Sequence, residues 1–248
     1  KRRMTWILLA VLIGWFCITT VGGYTNVSRG PDDRPAAEFE REFESLEEWE
    51  ASKAAFQFPL AFPHIFSIAQ GIGTVLLIIL VAAMVGNEYR WGTVGQMLTR
   101  RGARFYYLGA KLLALIIVAL IGLVFSLIVG VIIISITSSL LTGSINWAFI
   151  STSFVWEVVL MFGRTIFGLL PYMLLAAMLA IIGRSALAGT AGGLVCYFVE
   201  GIASAILGGG SGWSGRIPHY LISHNVYAIM SLNQLNGVAF GAAPMGFG

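Results

Sequence analysis

Glu200 is the one ionisable residue well inside a long apolar run of this chain, Ser185 to Leu207. A carboxylate at such depth costs about 2.5 to 3.5 kcal/mol on insertion scales, so it needs a partner. Arg164, which enters the preceding apolar run Thr165 to Gly183, is the candidate. An Arg164–Glu200 pair between helices would be structural; the same residues on an open path would form a polar station for a substrate or ion. A protonated Glu200 is a third option, and Glu157, two helical turns before Arg164, competes for the guanidinium.

Other chemistry is sparse. There is no GxxxxGK[ST] phosphate loop, no HExxH zinc signature and no GxSxG nucleophile elbow; Ser211 and Ser214 lie among glycines without that spacing. His219 and His224 are five apart and do not share a helical face, and His64 is far from both in sequence. Cys17 and Cys196 fall inside apolar runs, where they act as small packing groups. No catalytic residue, metal site or cofactor is expected, which leaves an intramembrane protease or lipid-modifying enzyme without a motif to carry it. Asn26, Val27 and Ser28 fit a glycosylation sequon, a pattern frequent by chance.

The most distinctive stretch is Glu88 to Lys111, which sets five basic residues (Arg90, Arg100, Arg101, Arg104, Lys111) against one acid. Val94, Met97 and Leu98 form a small apolar stripe within it, a pattern that predicts a short helix along a membrane surface. Gly92, Gly95 and Gly102 each weaken such a helix by about 1 kcal/mol relative to alanine. Tertiary or partner contacts must supply the difference.

The elements that position these residues follow from hydropathy. A chain that is 57% hydrophobic and 11% charged belongs in a membrane. Five runs are long enough to cross about 30 Å of hydrocarbon: 4–22, 65–87, 112–136, 165–183 and 185–207. The first is too long for a signal peptide and is read as a retained helix. The amino terminus, the 88–111 segment and Arg184 together carry nine basic residues and one acid, whereas Gly23 to His64 carries four basic residues and nine acids. This asymmetry places the amino terminus in the cytoplasm and residues 23–64, 137–164 and 208–248 outside the plasma (inner) membrane. The Gly183–Ser185 link is so short that the last two spans should form a tight hairpin, and Gly189 and Gly193 make a GxxxG spacing for close helix approach.

In the first outer connection, Phe39, Phe43, Leu46 and Trp49 recur at spacings of four, three and three, which predicts one amphipathic helix between Pro35 and Phe56. Ile145 to Phe162, with Trp147 and Trp156, reads as an interfacial helix leading into the fourth span. The stretch from Gly208 reads as short helices dipping toward the outer leaflet. The fold class is therefore all-α integral membrane protein, one transmembrane domain over 1–248.

The pattern Glu88, then Trp91, Gly92 and Thr93, a basic stretch, and Gly109 to Lys111 before a long span resembles the type-2 ABC-transporter permease family. The opening KRRMTWILLAVLIG, GRSALAGTAGGL before the fifth span and PHYLISHNVYAIM after it are similar to the same family. The resemblance implies a permease that couples ATP hydrolysis by a partner to export of a substrate. Glu88, Arg90, Trp91, Gly92, Thr93, Met97, Leu98, Arg101 and Arg104 would form the cytoplasmic coupling helix. It further implies a cytosolic ATP-binding subunit and a second permease copy or homologue as partners in the lipid bilayer, with no nucleic acid among them and the ATPase activity outside this chain. The family's sixth span has no counterpart among the apolar runs, so truncation or completion by a partner is expected. The alternative is a structural or regulatory membrane subunit of a larger complex that transports nothing.

Overall fold

The computed structural model describes residues 2–33, 35–43, 45–90, 103–142, 150–208, 217–235 and 238–239. The described residues are helical almost throughout: α1 (Arg2–Ser28), α2 (Ala36–Glu42), α3 (Leu46–Ala54), α4 (Ala61–Arg90), α5 (Ala103–Thr142), α6 (Thr152–Ile182), α7 (Ala186–Gly208) and α8 (Ile222–Met230). Short 3-10 turns occupy Pro31–Asp33 and Ile217–Tyr220, and Gln234–Leu235 pairs antiparallel with Val238–Ala239. Five helices are long and apolar enough to span a membrane: Trp6–Ser28, Ala61–Tyr89, Gly109–Leu141, Thr152–Ile182 and Ala186–Leu207. The protein is an all-helical membrane protein.

Three serines set helix starts by accepting a backbone N–H that has no partner within the helix. Ser45 accepts from Glu48 N at 3.2 Å, Ser151 from Phe154 N at 3.2 Å and Ser185 from Ala188 N at 3.0 Å. The Ser151 cap corrects the expected interfacial helix. From that cap, what reads as an interfacial segment and a fourth span becomes one 31-residue helix. At α5 the helix runs on to Thr142, well past the expected end of the span, with Ser135, Thr137 and Ser139 returning their hydroxyls to carbonyls three or four residues earlier. Back-bonding of this kind lets polar residues continue a helix in an apolar setting.

The chain divides into two compact units. The first holds residues 1–69, 125–162 and 231–241. Here α1 continues past Gly22, where the sequence suggests an exit, because Gly23 leaves room for the Phe56 ring against its backbone. Val27, Phe43 and Phe56 form a small core with Phe39, Trp49 and Leu141 around it. Trp49 donates its indole N–H to the Val27 carbonyl at 3.2 Å, satisfying an acceptor in the last turn of α1, and Lys53 lies over the same ring at 4.9 Å. The single amphipathic helix expected here is instead two. Phe43 is extended (φ −137°, ψ 128°) between α2 and α3, and Ser45 starts the second. The break turns the stripe, so Phe43 is buried while Leu46 stands 57% exposed. Lower in the unit, Gly130 of α5 faces Ile65 and Phe16, both buried, where a side chain would not fit.

The second unit holds residues 70–124, 163–230 and 242–248. Its core is Ile78, Val81 and Val85 of α4, Leu115 and Ala119 of α5, Leu169, Tyr172, Met173, Ala176 and Ala180 of α6, and Val226 of α8. The GxxxG spacing does pack closely. A methyl group on Gly189 would lie 2.6 Å from Ala180 Cβ and 2.9 Å from both Ala176 O and Ala82 Cβ; on Gly193 it would lie 2.8 Å from Ile78. The α6–α7 turn closes with Ser185 N donating to Ala180 O and Arg184 N to Ile181 O, and with Arg184 at φ 46°. That is a Schellman closure, with arginine at the left-handed position usually held by glycine.

Candidate functional site

Two polar arrangements stand out in the second unit. The first lies where α4 ends and α5 begins. Glu88, in the last turn of α4, forms an ion pair with Lys111 of α5. Lys111 is the more enclosed partner. Arg90 closes α4 and Arg104 lies in the first turn of α5. Trp91, Gly92, Thr93, Met97, Leu98 and Arg101, expected to form the coupling helix, lie outside the described residues. The sequence placed Glu88 and Lys111 at opposite ends of the basic stretch; the structure brings them together, joining the last turn of α4 to α5.

The second arrangement surrounds Glu200. Its Oε2 accepts from the Tyr172 hydroxyl at 2.9 Å and from the Ser223 backbone N–H at 3.2 Å. Ser223 lies in the first turn of α8, so the carboxylate of α7 caps a neighbouring helix and sits at the positive end of its dipole. Ser204, one turn along α7, shares a 2.9 Å hydrogen bond with the Ser223 hydroxyl, and Tyr197 meets Tyr172 edge to face at 5.1 Å. These donors come from residues other than the expected Arg164. Arg164 is not among the groups bonded to Glu200 in the described residues. It lies eight residues before Tyr172 on α6, about 12 Å along the helix axis.

Sequence reasoning missed Tyr172, Tyr197, Ser204 and Ser223. Tyr197 and Ser204 share the Glu200 face of α7 at spacings of three and four, and that periodicity could have flagged them. Tyr172 and Ser223 come from other helices, and no local pattern announces them.

The histidine expectation is also revised. Asn225 donates its side-chain amide to both the His219 and Leu221 carbonyls, at 3.1 and 2.9 Å, folding the 3-10 turn back on α8. The His219 and His224 rings therefore meet edge to face at 4.6 Å, although five residues separate them in sequence. No third histidine, cysteine or carboxylate joins them among the described residues. Ser211 and Ser214 lie outside the described residues.

No curated protein and no solved structure matches this chain. Residues 37–246 match the model of a family described as Protein of unknown function (DUF2705). That match runs from the first turn of α2 through α8, and the chain belongs to the DUF2705 family.

Proposed function

We propose that the chain is the membrane-spanning permease subunit of an ABC transporter, with its amino terminus in the cytoplasm of the plasma (inner) membrane. In this reading the 88–111 segment receives the stroke of a cytosolic ATP-binding subunit and passes it to α4 and α5, driving export of a substrate not yet identified. The observation that carries it is the Glu88–Lys111 pair. A segment that must transmit displacement needs both of its ends fixed to rigid elements, and this pair joins α4 and α5, the helices that flank it. Displacement of the segment then shifts α4 and α5 together, as rigid-body switching requires. The exposed apolar row on α7, including Val195, Phe198, Ile202 and Ile206, suits lipid or a second permease copy.

The test is purification in mild detergent. Co-purification of an ATP-binding subunit whose hydrolysis this chain stimulates is expected. Glu88→Gln and Lys111→Gln should each remove most of that stimulation, and the exchanged pair Glu88→Lys with Lys111→Glu should restore it. Stoichiometric association with an unrelated complex, with no ATPase present, would favour the non-transporting subunit instead.

A further inference from the structure

We propose that His219 and His224 form a binding site for one divalent transition-metal ion, with copper and nickel favoured over zinc. The site belongs to the connection between α7 and α8 and owes nothing to the transport reading. On one continuous helix, residues five apart would turn to different faces. Here His219 lies in the 3-10 turn Ile217–Tyr220 and His224 in the first turn of α8, so the chain bends between them. Asn225 fixes the bend by donating to the His219 and Leu221 carbonyls. The start of α8 is in turn tied to α7, through the Ser223 amide on Glu200 and the Ser223 hydroxyl on Ser204. Both histidines therefore stand on backbone that its neighbours hold in place, as a ligand pair requires.

The ring centres are 4.6 Å apart. Two imidazoles that each hold a metal through one nitrogen, at about 2.0 to 2.1 Å, place their ring centres about 4.5 Å apart at a right angle and about 5.2 Å apart at the tetrahedral angle. The observed separation matches the right angle, the arrangement of tetragonal copper and nickel rather than of zinc. His219 is exposed and His224 partly so, and an ion reaches them without entering the core. Among the described residues neither ring takes part in a hydrogen bond. No lysine or arginine occurs in α7, the 3-10 turn or α8, so no fixed cation on these elements repels the ion. Two ring nitrogens leave the remaining coordination positions to water or to a donor from a bound solute, an open site rather than a closed structural one. An ion held there ties the turn to α8 one residue from Ser223, whose amide holds Glu200.

Titration of Cu2+ into the full chain in lipid nanodiscs, purified through a tag without histidine and followed by electron paramagnetic resonance, tests the site. No ATPase takes part, so failure here leaves the coupling reading untouched. One ion per chain is expected, with a Kd of roughly 10 µM or tighter and a hyperfine pattern from two nitrogens. Zn2+ should displace it only at about tenfold or greater excess. His219→Ala and His224→Ala should each weaken binding about tenfold or more and leave a single-nitrogen signal, whereas His64→Ala should change neither. Asn225→Ala, which frees the bend but keeps both rings, should weaken binding severalfold with the two-nitrogen signal retained. A single-nitrogen signal in the unmodified protein, or full affinity in either His219→Ala or His224→Ala, would mean adventitious copper only and would overturn the site. The signal of the unmodified protein decides the matter even if a variant fails to fold.

Discussion

Tyr172 and the Ser223 amide converge on a single oxygen of Glu200, at 2.9 and 3.2 Å, so the one deep carboxylate of α7 is held by a phenol and a helix start. An amide at a helix start has no intrahelical acceptor and carries part of the dipole's positive charge, so it does some of the work expected of an arginine.

Replacing Tyr172 with Phe removes one of these donors and is expected to cost about 1 to 2 kcal/mol of stability. In double-mutant cycles on detergent-solubilised protein, Tyr172→Phe and Glu200→Gln should couple by about 0.5 kcal/mol or more, whereas Arg164→Gln and Glu200→Gln should add. The opposite pattern would return Glu200 to Arg164.

Gly189 and Gly201 lie on the same helix in opposite surroundings. Gly189→Ala forces a methyl group against Ala180, Ala176 and Ala82, and should destabilise by about 1 to 3 kcal/mol. Gly201 has nothing within 4 Å of the same position. Gly201→Ala should be neutral or stabilise by up to about 1 kcal/mol through helix propensity. Unfolding by titrated SDS compares the two, and equal losses would remove the claim that Gly189 is a close-approach site.

Arg184 holds a left-handed backbone at φ 46°. Arg184→Gly should relieve strain and stabilise the α6–α7 turn by about 0.4 to 1 kcal/mol. A lower unfolding midpoint for this variant would show that the guanidinium contributes more than its backbone costs.

The transmembrane helices were legible because five apolar runs of sufficient length leave few alternatives. Their ends were not. Gly22 and Gly23 read as an exit from α1, yet Gly23 is there to receive the Phe56 ring, a neighbour 33 positions away in sequence. The spacing of Phe39, Phe43, Leu46 and Trp49 signals helix correctly but cannot reveal that Ser45 starts a new one. The Gly189–Gly193 spacing was readable as close approach because it depends only on helical period. The company of Glu200 was readable only in part. Tyr197 and Ser204 are local to α7, whereas Tyr172 and Ser223 arrive through tertiary packing. The stretch from Glu88 to Lys111 was legible as a basic segment, but the ion pair between its two ends depends on how α4 and α5 meet.

The hook of the Trp49 indole on the Val27 carbonyl joins the acidic connection to the final turn of α1. Anything that grips α3, whether an antibody or a crosslinker, therefore pulls on the first transmembrane helix as well. The acid-rich helices form a handle, with Trp49 as one of its rivets.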